Sequence, residues 1–231
     1  LEKIVNNGSD IIEIGMPFSD PMADGPTIQL SSNRAINNGT NLETIFAICK
    51  NFRKKNNTTP LILMGYYNPV YHFGIDNFID SCEKVGVDGL IIVDLQPEED
   101  SELLQKIKSK NIDLIRLVTP TTNEDRLKII LQNASGFLYY VTITGITGQQ
   151  SAKTNKLKKA IQKVKKFSTL PVVAGFGIKN INHVKKICSF SDGVVVGSSI
   201  VKLIENNLGS NTNSILKIIS SFVKNLKKGT L

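Results

Sequence analysis

Glu13 and Asp24 are the residues of this chain best placed by type to do chemistry: two carboxylates, eleven positions apart, in Glu13-Ile14-Gly15-Met16-Pro17-Phe18-Ser19-Asp20-Pro21-Met22-Ala23-Asp24-Gly25-Pro26. Glu13 is the single acid in Ile11-Ile12-Glu13-Ile14-Gly15, which reads as a strand with both faces apolar. Burial disfavours the charged carboxylate and raises its pKa, so a glutamate there can hold and release a proton near neutrality. The alternative is a structural carboxylate satisfied by backbone donors or a basic partner, because ion pairs also perturb pKa values. Asp24 falls in the loop beyond the strand, where Ala-Asp-Gly also suits a plain turn.

Positioning such a pair requires a scaffold. Strand-like runs recur at Ile11–Gly15, Leu61–Tyr66, Gly89–Asp94, Leu114–Thr119, Phe137–Ile143, Val172–Gly175 and Gly193–Gly197, each followed by a helical pattern. The helix faces are set by Phe78, Ile79, Cys82 and Val85, then by Leu103, Leu104 and Ile107, by Leu127, Ile130 and Leu131, and by Val184, Ile187 and Cys188. Asn123 before Glu124 and Asp125 marks a helix start. Ile215 to Leu226 gives a closing helix. This alternation predicts an α/β protein with a parallel sheet, and seven strands apolar on both faces suit a TIM (β/α)8 barrel better than an open sheet. The expectation is one domain over residues 1–231, with the first strand and most of the first helix missing. Leu1 to Gly8 then reads as the last turns of a helix with a glycine stop.

Three glycine-bearing turns follow the last three expected strands: Gly145-Ile146-Thr147-Gly148, Gly175-Phe176-Gly177 and Gly197-Ser198-Ser199. In barrels of this class the loops after the seventh and eighth strands commonly hold a phosphate. Glycine lets backbone N–H groups approach the oxygens, and a helix start favours an anion. Tight turns use glycine anyway, so it is the coincidence of three that points to phosphate. No strand tip carries a lysine, which leaves a Schiff-base aldolase without an obvious nucleophile. Tyr66, Tyr67, Tyr139 and Phe176 are candidates for an aromatic ligand's pocket, core packing being the ordinary reading of each.

Composition narrows the partners. The net charge is +8, but the lysines lie on several predicted helices; in Lys156–Phe167 they surround a face of Leu157, Ala160, Ile161, Val164 and Phe167. That pattern is a solvated helix face, and no nucleic-acid partner is expected. No apolar run has the roughly 18 to 20 residues that cross a bilayer, so no membrane partner is expected either. Cys49, Cys82 and Cys188 are odd in number and scattered, which predicts core thiols and a reducing compartment. His72 and His183 lack companions at ligand spacing, and no metal is expected. Lysine, asparagine and isoleucine, all with AT-rich codons, are plentiful.

The run EIGMPFSDPMADGPTIQ resembles the signature of the tryptophan synthase α chain. The resemblance continues in family order through GYYNPV at Gly65–Val70, GLIIVDLQPEE at Gly89–Glu99, TGITG at Thr144–Gly148, AGFGI at Ala174–Ile178 and GSSIVK at Gly197–Lys202. It implies a TIM barrel that cleaves indole-3-glycerol phosphate to indole and glyceraldehyde 3-phosphate, a lyase step of tryptophan biosynthesis. The implied chain holds no cofactor of its own; pyridoxal phosphate belongs to a β-chain partner in an α2β2 assembly. Carried onto matching positions, Glu13 is the general acid/base and Asp24 the acid that contacts the indole N–H. Tyr139 and Thr147 are by the same resemblance substrate-binding, Thr147 on a loop that closes over substrate, and Gly148, Gly177, Gly197 and Ser198 bind phosphate; Tyr66 and Phe176 are counted as substrate-binding as aromatic rings near strand ends.

Two departures are notable: the family's first strand has no counterpart, and the usual DLP reads Asp94-Leu95-Gln96-Pro97. The form YYVTITGITG is closer to cyanobacterial and plastid members, and with the abundance of residues that have AT-rich codons it points to a plastid chain, a cytoplasmic one being the alternative. Another phosphate-binding barrel isomerase, or a non-catalytic activator or inactive fragment of the α chain, are the competing readings.

Overall fold

The computed structural model describes residues 1–141, 150–175 and 177–230. They form two compact units, Leu1–Leu114 and Ile115–Leu231.

The first unit begins with a helical turn, α1 (Glu2–Val5), closed by Gly8 at φ 110°, in keeping with the glycine stop read from sequence. Strand β1 (Ile12–Gly15) follows, then two helices, α2 (Pro26–Asn37) and α3 (Leu42–Arg53). Next come β2 (Leu61–Gly65), α4 (Tyr67–Phe73), α5 (Ile75–Val85), β3 (Gly89–Ile92), α6 (Ser101–Lys108) and the short β4 (Asp113–Leu114). The four strands are parallel in the order β1-β2-β3-β4. Register puts Ile14, Leu63, Leu90 and Leu114 in one row, and all four belong to the core with Phe46, Cys49, Phe78, Ile79, Cys82 and Leu103 of the helices. Helix spacing of those residues explains the helices, since each lays one apolar stripe on the sheet.

The second unit runs β5 (Arg116–Val118), α7 (Glu124–Leu131), β6 (Leu138–Val141), α8 (Gln150–Phe167), β7 (Val172–Gly175), α9 (Ile181–Cys188), β8 (Gly193–Val195), α10 (Ser198–Glu205) and α11 (Thr212–Lys227). Its strands are parallel in the order β5-β6-β7-β8. Leu138, Tyr140, Val172 and Ala174 pack with Leu127, Ile130, Leu157, Ile161, Val164, Val184 and Ile187. Asn123 caps α7 as expected, its Oδ1 accepting from the Arg126 N–H at 2.8 Å. The lysines of α8 from Lys156 to Lys166 are exposed around buried Leu157, Ile161 and Val164, but Phe167, expected on that apolar face, is 37% exposed at the helix end.

All seven expected strands are present, with one difference. The run expected as a single strand from Leu114 to Thr119 is divided at Ile115: β4 pairs with β3 and β5 with β6, so the chain changes sheets there. Cys49 and Cys82 are wholly buried, and burial pushes the Cys49 thiol up to about 11, as suits core residues. Among the described residues no helix is long and apolar enough to cross a membrane.

The two sheets share one device. Asp88, just before β3, donates its N–H to the Leu61 carbonyl at 2.9 Å while its Oδ2 accepts from the Leu61 N–H at 2.6 Å. Asp192, just before β8, does the same with Val172, at 3.0 and 2.7 Å. In each case a side-chain oxygen stands in for a ladder carbonyl that the neighbouring strand has not yet begun to supply. A cation from the helix preceding the first strand completes it: Arg53 bonds Asp88, and Lys165 Nζ lies 2.7 Å from Asp192 Oδ1. Burial works against ionisation of Asp192, but these donors outweigh it and hold its carboxyl below the usual range. Replacing Asp88 or Asp192 by Ala strands a strand N–H, and urea unfolding should show a loss of about 1–3 kcal/mol for either variant. A change within error for both would mean that water serves equally well at those strand ends.

Candidate active site

In the first unit the alternation of β1 sends Ile12 and Ile14 into the helix-packed core and Glu13 to the other face of the sheet. There Glu13 is in register with Ile62 and, one strand further, Gly89; buried Ile91 lies on the same face. Among the described residues no hydrogen bond or ion pair reaches its carboxyl, so the donor or basic partner of the structural reading is not found. Glu13 keeps some accessible surface, yet desolvation alone pushes its pKa from 4.5 up to about 7. It therefore titrates where an acid that must later act as a base needs to.

Asp24 lies in the ten-residue loop between β1 and α2, and this loop is tied down. The Phe18 N–H donates to Ser32 Oγ at 2.8 Å and the Ser32 hydroxyl returns a bond to the Phe18 carbonyl at 2.9 Å. The Asp24 N–H bonds the Pro21 carbonyl at 3.0 Å, and Gln29 Nε2 donates to the Asp24 carbonyl at 2.9 Å. These bonds make the turn through the backbone. The side chain is directed elsewhere: Tyr66 Oη donates to Asp24 Oδ2 at 3.0 Å. Desolvation raises the Asp24 pKa and the tyrosine donor works against that rise. Tyr66 is itself buried, its ring 5.5 Å from that of Phe18, and it is pushed up to about 12, chiefly by desolvation. Asp24 and Tyr66 are thus brought into direct contact, while no hydrogen bond joins Glu13 to that pair.

In the second unit Tyr139 projects from β6 on the face opposite Tyr140, which belongs to the core. Its ring passes over β7 at Gly175, where a Cβ would lie 2.6 Å from Tyr139 Cε1. Glycine at 175 is therefore required by the tyrosine, a role different from the turn assigned to it in sequence. Gly177 has φ 57°, in the left-handed region, and Gly197 caps α10. The first helical bonds to the Gly197 carbonyl come from Ile200 and Val201, so the N–H groups of Ser198 and Ser199 have no helical acceptor. The Ser199 hydroxyl is engaged with the Ile178 carbonyl at 2.5 Å, which leaves Ser198 as the hydroxyl at the helix start with no bond to any of the described residues. Thr147, Gly148 and Phe176 lie outside the described residues.

Sequence reasoning missed Phe18, the Ala23 N–H that donates to Tyr66 Oη at 3.0 Å, and the Asp94 Oδ1 that accepts from the Tyr67 N–H at 2.7 Å. Phe18 and Asp94 do sit just past strand ends, where site residues concentrate in such folds, and that was the available signal. Among the described residues no cluster of three or more His, Cys, Asp or Glu side chains could hold a metal.

A parallel α/β fold with a carboxyl group poised near neutrality defines an enzyme scaffold suited to proton transfer. Comparison with known proteins specifies it further. The family model described as tryptophan synthase alpha chain matches residues 1–230, and the chain belongs to that family. The crystal structure of tryptophan synthase subunit alpha from Legionella pneumophila is similar with a TM-score of 0.91 and 33% identity, over 99% of this chain and 84% of that one. A protein from Aquifex aeolicus is similar at 0.88 and 37%, over 99% and 84%. A structure of the tryptophan synthase a2b2 complex from Pyrococcus furiosus gives 0.83 and 33%, over 96% and 88%.

The raised pKa has a thermodynamic sign. A carboxyl group that titrates at about 7 when folded and near 4.5 when unfolded contributes stability below pH 4.5 that is lost as pH rises through 7. The loss is about 3 kcal/mol at its largest. Glu13→Gln should match the parent in urea midpoint near pH 4 and exceed it at pH 8. Equal midpoints at both pH values would place the Glu13 pKa at its ordinary value.

Proposed function

We propose that this chain acts as a tryptophan synthase α subunit, cleaving indole-3-glycerol phosphate to indole and glyceraldehyde 3-phosphate. The observation that carries the reading is Glu13: a carboxyl group without a bonded partner among the described residues, titrating near neutrality, in a chain of this family.

The chemistry asks for one proton donor that becomes an acceptor. Protonation of the indole ring at C3 gives a cation with its positive charge on the ring nitrogen. Loss of the proton from the hydroxyl on the carbon attached to C3 then makes the aldehyde carbonyl. The carbon–carbon bond breaks and its electron pair returns to the ring, leaving neutral indole. Glu13 is assigned both proton transfers, as acid and then base. Asp24, as carboxylate, is assigned the ring N–H, where it stabilises the charge that develops. The open N–H groups and hydroxyl at the start of α10 support a phosphate role for Gly197 and Ser198, with Gly177 and Gly148 assigned by the family match. Tyr139 and Thr147 are assigned to substrate contacts on the same ground, and Phe176 as an aromatic residue near a strand end.

The partner is a β chain, in an assembly like the a2b2 complex of Pyrococcus furiosus, and the pyridoxal phosphate implied by the family resemblance is assigned to that partner. The abundance of residues with AT-rich codons and the plastid-like YYVTITGITG segment support a plastid location.

The test is indole release from indole-3-glycerol phosphate, with and without a β chain. Release that a β chain accelerates is expected; none in either condition overturns the reading. Within that assay Glu13→Gln should bind substrate normally and lose roughly 10²- to 10⁴-fold in kcat, the contribution of general acid–base catalysis. Near-normal turnover would make Glu13 structural. Gly197 offers a separate probe, because a Cβ there meets nothing within 4 Å and its φ is −100°. Gly197→Val should therefore keep its thermal midpoint while KM rises at least tenfold. An unchanged KM would remove phosphate from this helix start.

A further inference from the structure

We propose that Tyr66 is the positioning residue of Asp24, holding one carboxylate oxygen so that the other, Oδ1, is the acceptor for an aromatic N–H donor; this rests on the function proposed above. Tyr66 follows β2, which lies between β1 and β3, so its backbone is carried by the interior of the first sheet. The next residue is pinned as well, its N–H donating to Asp94 after β3 at 2.7 Å. From this fixed base the Tyr66 hydroxyl reaches the loop at two points, accepting from the Ala23 N–H and donating to Asp24 Oδ2, both at 3.0 Å. A phenol has one proton, and here it is committed to Asp24. Tyr66 consequently has no donor left for a ligand while this bond stands. Packing supports the same role: the ring is buried against Phe18, leaving the hydroxyl little freedom to turn away.

An acid on a loop must be held before its charge can act on a transition state. The backbone bonds from Gln29 and to Pro21 fix where Asp24 sits, and Tyr66 fixes where its carboxylate points. A donor to the charged form also favours ionisation. The titratable groups around the hydroxyl are Asp24 itself and Asp94. Removing the hydroxyl thus takes away the group that opposes desolvation at Asp24.

The experiment is Tyr66→Phe, which keeps the ring and its packing. The kcat should fall roughly 10- to 100-fold, as for a lost hydrogen bond to a charged group, with KM changed little. The acid limb of the kcat/KM profile should move to higher pH. In an Asp24→Asn background the same change should add little, because the two residues act as one unit. Two readouts do not depend on turnover: the Asp24 carboxyl, followed by carbon NMR, should titrate higher in the variant, and the Ala23 amide should exchange faster. If the parent releases no indole, the proposed function fails while these two readouts still decide the positioning claim. Unchanged Asp24 titration and Ala23 exchange, or equal losses from Tyr66→Phe with and without Asp24, would overturn it.

Discussion

Everything in the first unit depends on the register of its parallel ladder, since a slip of one residue exchanges the two faces of a strand. In the observed register Ile12 and Ile14 enter the helix-packed core and Glu13 does not. One step along, the carboxyl group would be driven among Phe46, Phe78 and Leu103, with no donor to meet it, and both isoleucines would be expelled. Asp88 opposes the corresponding slip between β2 and β3, because its side chain and its backbone together recognise a single residue, Leu61, at the start of β2. Asp192 and Val172 repeat the arrangement in the second unit. Structural aspartates at one end of the strands thereby secure the placement of residues further along them.

The two candidate catalytic acids are tuned by opposite means. Glu13 is given an apolar setting and, among the described residues, no donor, and its proton is retained to neutrality. Asp24, also desolvated, is given a phenolic donor that returns it toward the ionised form. Environments that push two like groups apart are how acid and electrostatic roles are divided between carboxylates. The setting of Glu13 is destabilising to the fold above neutral pH, which is the usual relation between a poised group and its scaffold.

Much of this was legible before the structure. Alternating or continuous apolar runs made every strand visible, and Asn123 announced its helix through an acid-rich first turn. The division at Ile115 was not legible, since Leu114 to Val118 is apolar nearly throughout and only the change of ladder partner reveals the break. Glu13 could be singled out because an acid inside a strand contradicts its surroundings. The bond between Tyr66 and Asp24 could not, as it joins residues far apart in sequence whose approach depends on the β1–α2 loop folding back toward the end of β2. Gly175 was read as a turn glycine because turn and close approach leave the same mark in a sequence, and only the ring of Tyr139 tells them apart.

The cysteines lend themselves to another use. Cys49 and Cys82 are sealed in the core of the first unit, on α3 and α5, whereas Cys188 sits half-buried at the end of α9 in the second. Burial also keeps all three sulfurs in the unreactive thiol form. A thiol reagent consequently reacts with the first two only when that core opens, and the chain carries built-in reporters that time the opening of one unit independently of the other.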